Sequence, residues 1–159
     1  VVSVSKKPRK SHRPAWNSGG VLLKSQPWKM QAVFGPLESI LDQLERDGTV
    51  DIAGNGAPIF KDQNDGHWYC TVSALNGVID AYEIHERRFS RSLNLEPLRR
   101  LSNKLRIGMP IFESDTKDSR ACLARMRVET MRMTADYAKQ LIKDFQIKEA
   151  LEKTQEATC

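Results

Sequence analysis

Thr71–Arg88 reads TVSALNGVIDAYEIHERR, and its folding decides how the rest of the chain can be arranged. Val72, Leu75, Ile79 and Tyr82 recur at steps of three and four, with Val78 widening the stripe, so they share one face of an α-helix. Asp80, Glu83, Glu86 and Arg87 fall mostly outside that face. Turn chemistry bounds the stretch at Asn64-Asp65-Gly66 and at Ser90-Arg91-Ser92. A stripe this wide predicts a helix buried on one side by its neighbours.

Downstream, Asn94 is placed to cap a helix over Leu95–Ile107, with Pro97 in its first turn and Gly108 as its stop. Leu98, Leu101 and Leu105 form its apolar face. Met109-Pro110-Ile111-Phe112 is an extended apolar link. A single long helix then follows over 114–153. In it Leu123, Met126, Met133, Tyr137, Leu141, Phe145 and Leu151 keep a rough three/four spacing. At 1.5 Å per residue it would span roughly 50–60 Å. A rod of that length is expected to project, kink, or pair with another chain. Thr130 and Lys148 fall in the seam, so the heptad is imperfect. Arg125, Arg132 and Lys139 line up seven apart, but Glu129 and Asp136 share their side and mix the charge.

Upstream, Asp65-Gly66 separates two apolar runs, which predicts a hairpin of Ala57–Lys61 against His67–Thr71. Val50 and Ile52 form a further short apolar piece. Pro27–Phe34 reads as a short helical turn interrupted at Gly35-Pro36, with a new helix starting at Pro36. Leu37, Ile40, Leu41 and Leu44 give that helix its stripe, and Gly48 its stop. Residues 1–29 form an extended basic arm in which Pro8 and Pro14 disfavour helix. Trp16 and Trp28 bracket Ser18-Gly19-Gly20 and are expected to pin the arm by burial; stacking on bases is the less favoured role. The fold class is therefore mainly α. It is one small helical bundle over 30–159 with a long C-terminal helix, a basic arm, and one short hairpin.

A chain of 159 residues suits one domain with a real core. No apolar run approaches 18 residues, so no membrane span is expected, and no signal-peptide pattern is visible. Three widely spaced cysteines, Cys70, Cys122 and Cys159, form no disulfide framework and point to a reducing, cytoplasmic setting.

Charge is strongly segregated. Residues 1–29 carry +7 without one acid, residues 30–85 carry −7, residues 86–107 carry +5, and the remainder is neutral. A basic end free of acids is the pattern of a nucleic-acid arm, although it could equally pair with the chain's own acidic block or that of a twin copy. The candidate phosphate contacts are Lys6, Lys7, Arg9, Lys10 and Arg13 in the arm. To these are added Arg87, Arg88, Arg91, Arg99, Arg100, Lys104 and Arg106. The alternative is a protein-interaction or self-association module. It would act through the last helix, with Met126, Met133, Tyr137, Leu141 and Phe145 as its surface.

Catalysis is the weakest class. His67 and Cys70 are three apart, but on a strand they face opposite sides, and no paired metal-ligand spacing occurs. Cys70 or Ser73 near His67 and Asp65 lacks an orienting group and an oxyanion site. Gly54-Asn55-Gly56 has no following Lys-Ser/Thr and is no phosphate loop. No metal, cofactor or catalytic residue is expected.

Lys7-Pro8-Arg9-Lys10, Pro27-Trp28 with Gln31-Ala32-Val33-Phe34-Gly35-Pro36-Leu37, Asp47-Gly48-Thr49, and Asn103-Lys104-Leu105 with Pro110-Ile111-Phe112-Glu113 follow in this order. The order resembles that of small helical proteins found in proteobacterial phages, prophages and other mobile elements. The resemblance implies a mobile-element context and a helical fold. Those proteins carry no assigned activity, so it implies no functional residues.

Overall fold

A computed structural model describes residues 16, 17 and 19–157, with side chains described through residue 152. In chain order a 3-10 turn, Leu23–Ser25, precedes α1 (Pro27–Asp47). Three strands follow: β1 (Asp51–Ile52), β2 (Pro58–Lys61) and β3 (Trp68–Cys70). Then come α2 (Thr71–Phe89), α3 (Glu96–Ile107), α4 (Glu113–Met131) and α5 (Ala135–Ala157).

The stripe on Thr71–Arg88 folds as expected, and α2 packs against α3 and α5 while α4 packs against α1 and α3. Leu75, Ile79 and Tyr82 are buried, and His85 extends the buried face by one turn beyond what the apolar residues mark. Phe34, Leu37, Ile40 and Leu41 of α1 join Leu98 and Leu101 of α3, Met126 of α4 and Tyr137 of α5 in one core. Each such side chain contributes on the order of 1.5–3 kcal/mol by leaving water. The helix stops fall at Gly48 and Gly108, both left-handed.

The hairpin forms in the expected place. β2 and β3 pair antiparallel, with Phe60 opposite Tyr69 and Lys61 opposite Trp68. Asp62 Oδ1 accepts from the Asn64 amide at 2.9 Å, and Gly66 takes φ 72° to close the turn. β1 adds a third strand, pairing Asp51 with Ile59.

Three expectations are corrected: Asn94, at φ 50°, does not cap α3, whose N-cap is Leu95 without a side-chain bond, and the other two concern α1 and the last helix. Pro36 does not begin a helix; it lies inside α1, which is continuous from Pro27. Gly35 is the reason. Without a Cβ it relieves the clash that normally keeps the residue before proline out of the α region. A Cβ there would also stand 2.6 Å from Asn64 Nδ2, so its absence lets the hairpin turn approach. Asn64 Nδ2 donates to the Gln31 carbonyl at 3.2 Å, and Ser39 Oγ donates to the Gly35 carbonyl at 2.9 Å.

The single helix over 114–153 is likewise two helices, broken at 132–134. Thr134 caps α5 by accepting from the Tyr137 amide at 3.1 Å. A strap of chain, residues 16, 17 and 19–25, satisfies the freed backbone. The Leu23 amide donates to the Met133 carbonyl at 2.9 Å, the Thr134 amide to the Trp16 carbonyl at 2.9 Å, and the Ala135 amide to the Val21 carbonyl at 2.8 Å. The described end of the arm is thus strapped to the body.

Candidate nucleic-acid interface

Lys6, Lys7, Arg9, Lys10 and Arg13 lie outside the described residues. The structure places the other seven candidate cations on α2, the α2–α3 connection and α3, and most meet the chain's own acids. Arg88 pairs with Asp144. Arg91 makes two bonds to Glu129, at 2.9 and 2.8 Å. Arg99 reaches Glu83 at 2.9 Å, and Arg100 stands 3.7 Å from Asp118. Lys104 pairs with Asp115 at 2.7 Å. Among the described residues only Arg87 and Arg106 of this set have no ion pair.

The residues proposed to face a protein partner are largely interior. Met126, Met133, Tyr137 and Leu141 are buried, and Phe145 lies 3.6 Å from the position a Cβ on Gly77 would take. The stripe is a core stripe from Leu123 to Phe145 because α5 lies along α2. What α5 exposes instead is Ile142, Ile147 and Leu151.

At the α4–α5 break a polar cluster holds strap and helices together. His85 is fully buried, with Nε2 2.9 Å from Glu129 Oε1 and Nδ1 2.7 Å from the Tyr137 hydroxyl. Burial pushes the imidazole pKa down even though the Glu129 carboxylate pulls it up. A neutral ring therefore donates from Nε2 to Glu129 and accepts the Tyr137 proton at Nδ1. Burial alone would raise the Glu129 pKa, but the bonds from Arg91 and His85 prevail and hold it low. Burial also pushes the Tyr137 phenol up to about 12. Trp16 closes the cluster, edge-on to His85 at 5.0 Å between centroids, with the Arg91 guanidinium 5.4 Å from its own ring centre. All of these groups have partners, so the cluster is a clamp.

Beside the clamp lies an open groove of about 490 Å³ lined by Asn17, Leu22, Lys24, Val128, Met131 and Arg132. No carboxylate is among these lining residues, and neither cation has an ion pair among the described residues. Among the described residues Lys29 is also without one. Asp136, exposed, lies by Gly20 at the same end of the fold. Lys24 carries no local signal in the sequence, and on a straight helix Arg132 shares its side with Glu129 and Asp136. In the structure Glu129 is only 3% exposed and is engaged by His85 and Arg91.

Near the hairpin, Asp65 accepts from the Tyr69 hydroxyl and from the His67 amide. Cys70 is exposed, and a hydrogen bond with Ser73 holds its thiol below the usual range. Among the described residues no three metal-ligating side chains gather, and no helix is long and apolar enough to cross a membrane. No family model matches the chain, and neither a curated protein nor a solved structure matches it.

Proposed function

We propose that the protein is a non-catalytic accessory factor of a mobile element, acting in the cytoplasm, that binds nucleic acid through its basic N-terminal arm and the groove at the arm's root. The observation that carries this is where cations lack internal partners. Five of the seven in the α2–α3 block are paired with the chain's own acids. The acid-free segment 1–29 instead leads, through the strap, to a groove that presents Lys24 and Arg132. Phosphate contact needs positive charge that is not already neutralised. The mobile-element setting rests on the resemblance of the chain's order of parts. An electrophoretic shift assay tests the assignment. Lys24→Gln with Arg132→Gln weakens binding, whereas Arg99→Gln with Arg100→Gln leaves it within about twofold, because those two guanidiniums already serve carboxylates. The reverse ranking overturns the placement, and no shift with any variant or with the intact chain overturns the function.

A second reading, self-association, is favoured by one observation. Ile142, Ile147 and Leu151 are each at least half exposed on the outer part of α5. Light scattering of the intact protein tests it, and a monomeric mass at high concentration counts against it.

A further inference from the structure

The three tryptophans occupy three different electrostatic settings, and only one suits a nucleobase. Trp16 is packed between His85 and Phe89 beneath Arg91. Trp68 is 52% exposed, but its groove holds Asp42, Asp51 and Asp62 against Arg46 and Lys61, so acids outnumber bases there. Trp28 is 65% exposed in the first turn of α1. That turn holds no acid, and Gln26 makes no side-chain cap bond there. Lys29 is its neighbour in sequence, and the Cα atoms of Trp28 and Lys24, four residues apart, stand no more than about 14 Å from each other. Lys24 in turn shares a groove with Arg132, where Leu22, Val128 and Met131 supply apolar walls and Asn17 a polar edge.

From this arrangement we infer that the ligand of this surface is single-stranded nucleic acid, with Trp28 stacking on a base and Lys24, Lys29 and Arg132 meeting the flanking phosphates. The inference rests on the nucleic-acid reading above and narrows it. A large aromatic in water is unfavourable unless something covers it, and every base offers a π-face without regard to sequence. Paired bases stack on one another and hide those faces, so an exposed indole among cations discriminates for unpaired strands. The apolar walls of the groove at Lys24 and Arg132 give a second unstacked base a place to lie. No base-edge readout is built here beyond Asn17, so the preference is for strandedness and not for sequence.

The test is fluorescence anisotropy with labelled oligothymidine, the same length of RNA, and a duplex of equal length, using the full chain. The expected result is single-strand binding at least several-fold tighter than duplex binding. Trp28→Ala is expected to weaken the single-strand complex roughly tenfold or more, since a stacked base is worth ~1–3 kcal/mol. Trp28→Phe retains most of the affinity, Trp68→Ala is neutral, and duplex binding is indifferent to all three. Equal binding of duplex and single strand, with Trp28→Ala without effect, overturns this inference while leaving the nucleic-acid reading intact. Binding to none of the oligonucleotides overturns both. Retention of Trp28-dependent binding only on phosphatidylserine vesicles assigns the surface to anionic lipid and likewise overturns both.

Discussion

Glu129→Ala is the substitution whose cost the structure lets us work out. Glu129 is 3% exposed and accepts from His85, which is wholly buried, and from Arg91, whose side chain is 42% exposed. Removing the carboxylate strands the His85 Nε2–H away from water, which costs about 1–3 kcal/mol. The Arg91 guanidinium recovers water, so its loss is discounted to about 1 kcal/mol or less. The emptied volume adds to this because a packed helix relaxes only in part. The sum, ~3–4 kcal/mol, falls within the range for breaking a buried pair. For a chain of this size each kcal/mol moves Tm by about 2–4 °C, so Tm should fall by roughly 10 °C. Arg91→Ala leaves the buried Glu129 carboxylate held by His85 alone and should lower Tm by a comparable amount. Thermal melts followed by circular dichroism at pH 7.5 measure both. A Glu129→Ala or an Arg91→Ala protein melting within about 2 °C of the parent refutes the clamp as the origin of the coupling between strap and helices.

Three further outcomes follow from the same contacts. The depressed His85 pKa means that the unfolded chain takes up a proton near pH 6.5 while the native ring stays neutral, so stability is complete above about pH 6.5 and is lost as pH falls from there toward the native value. His85→Gln should flatten that part of a Tm-versus-pH curve, and Glu129, with its lowered pKa, should add a second decline below about pH 4.5. Thr134→Ala loses the α5 cap and should lower stability by about 1 kcal/mol in urea denaturation, with Thr134→Ser retaining it. Ile147→Glu with Leu151→Glu should leave Tm unchanged, since both side chains are exposed, and should abolish any concentration-dependent mass seen by light scattering.

Elements marked by local chemistry were legible in the sequence. The three/four spacing of 72–82, the Asp-Gly turn and the glycine stops at 48 and 108 each state their structure within a few residues. The break at 132–134 was not, although Thr134-Ala135-Asp136 is a helix start in its own right, a capping hydroxyl followed by an acid in the first turn. Met126, Met133, Tyr137 and Leu141 kept their period through the bend because all four meet the same core. The strap's backbone bonds to Met133, Thr134 and Ala135 join residues more than a hundred positions apart, and no local pattern records them. Pro36 misled for the opposite reason. Its local signal is strong, but Gly35 in front of it and Asn64 across from it make the helix tolerable. The partnerships of the α2–α3 cations were invisible for the same cause as the strap, since Asp115, Asp118, Glu129 and Asp144 all come from α4 and α5. Charge counted along the chain overstated the α2–α3 block and understated the groove at Lys24 and Arg132.

The central claim, that the cations of the arm and of the groove at its root hold phosphates, is tested most directly by the salt dependence of oligonucleotide affinity. Five arm cations with Lys24, Lys29 and Arg132 give a slope of log K against log salt of about −5.6 for a single strand. Replacing Lys6, Lys7, Arg9, Lys10 and Arg13 with Gln should reduce it to about −2. A slope near zero in the parent protein, or one that the five replacements leave unchanged, contradicts the account.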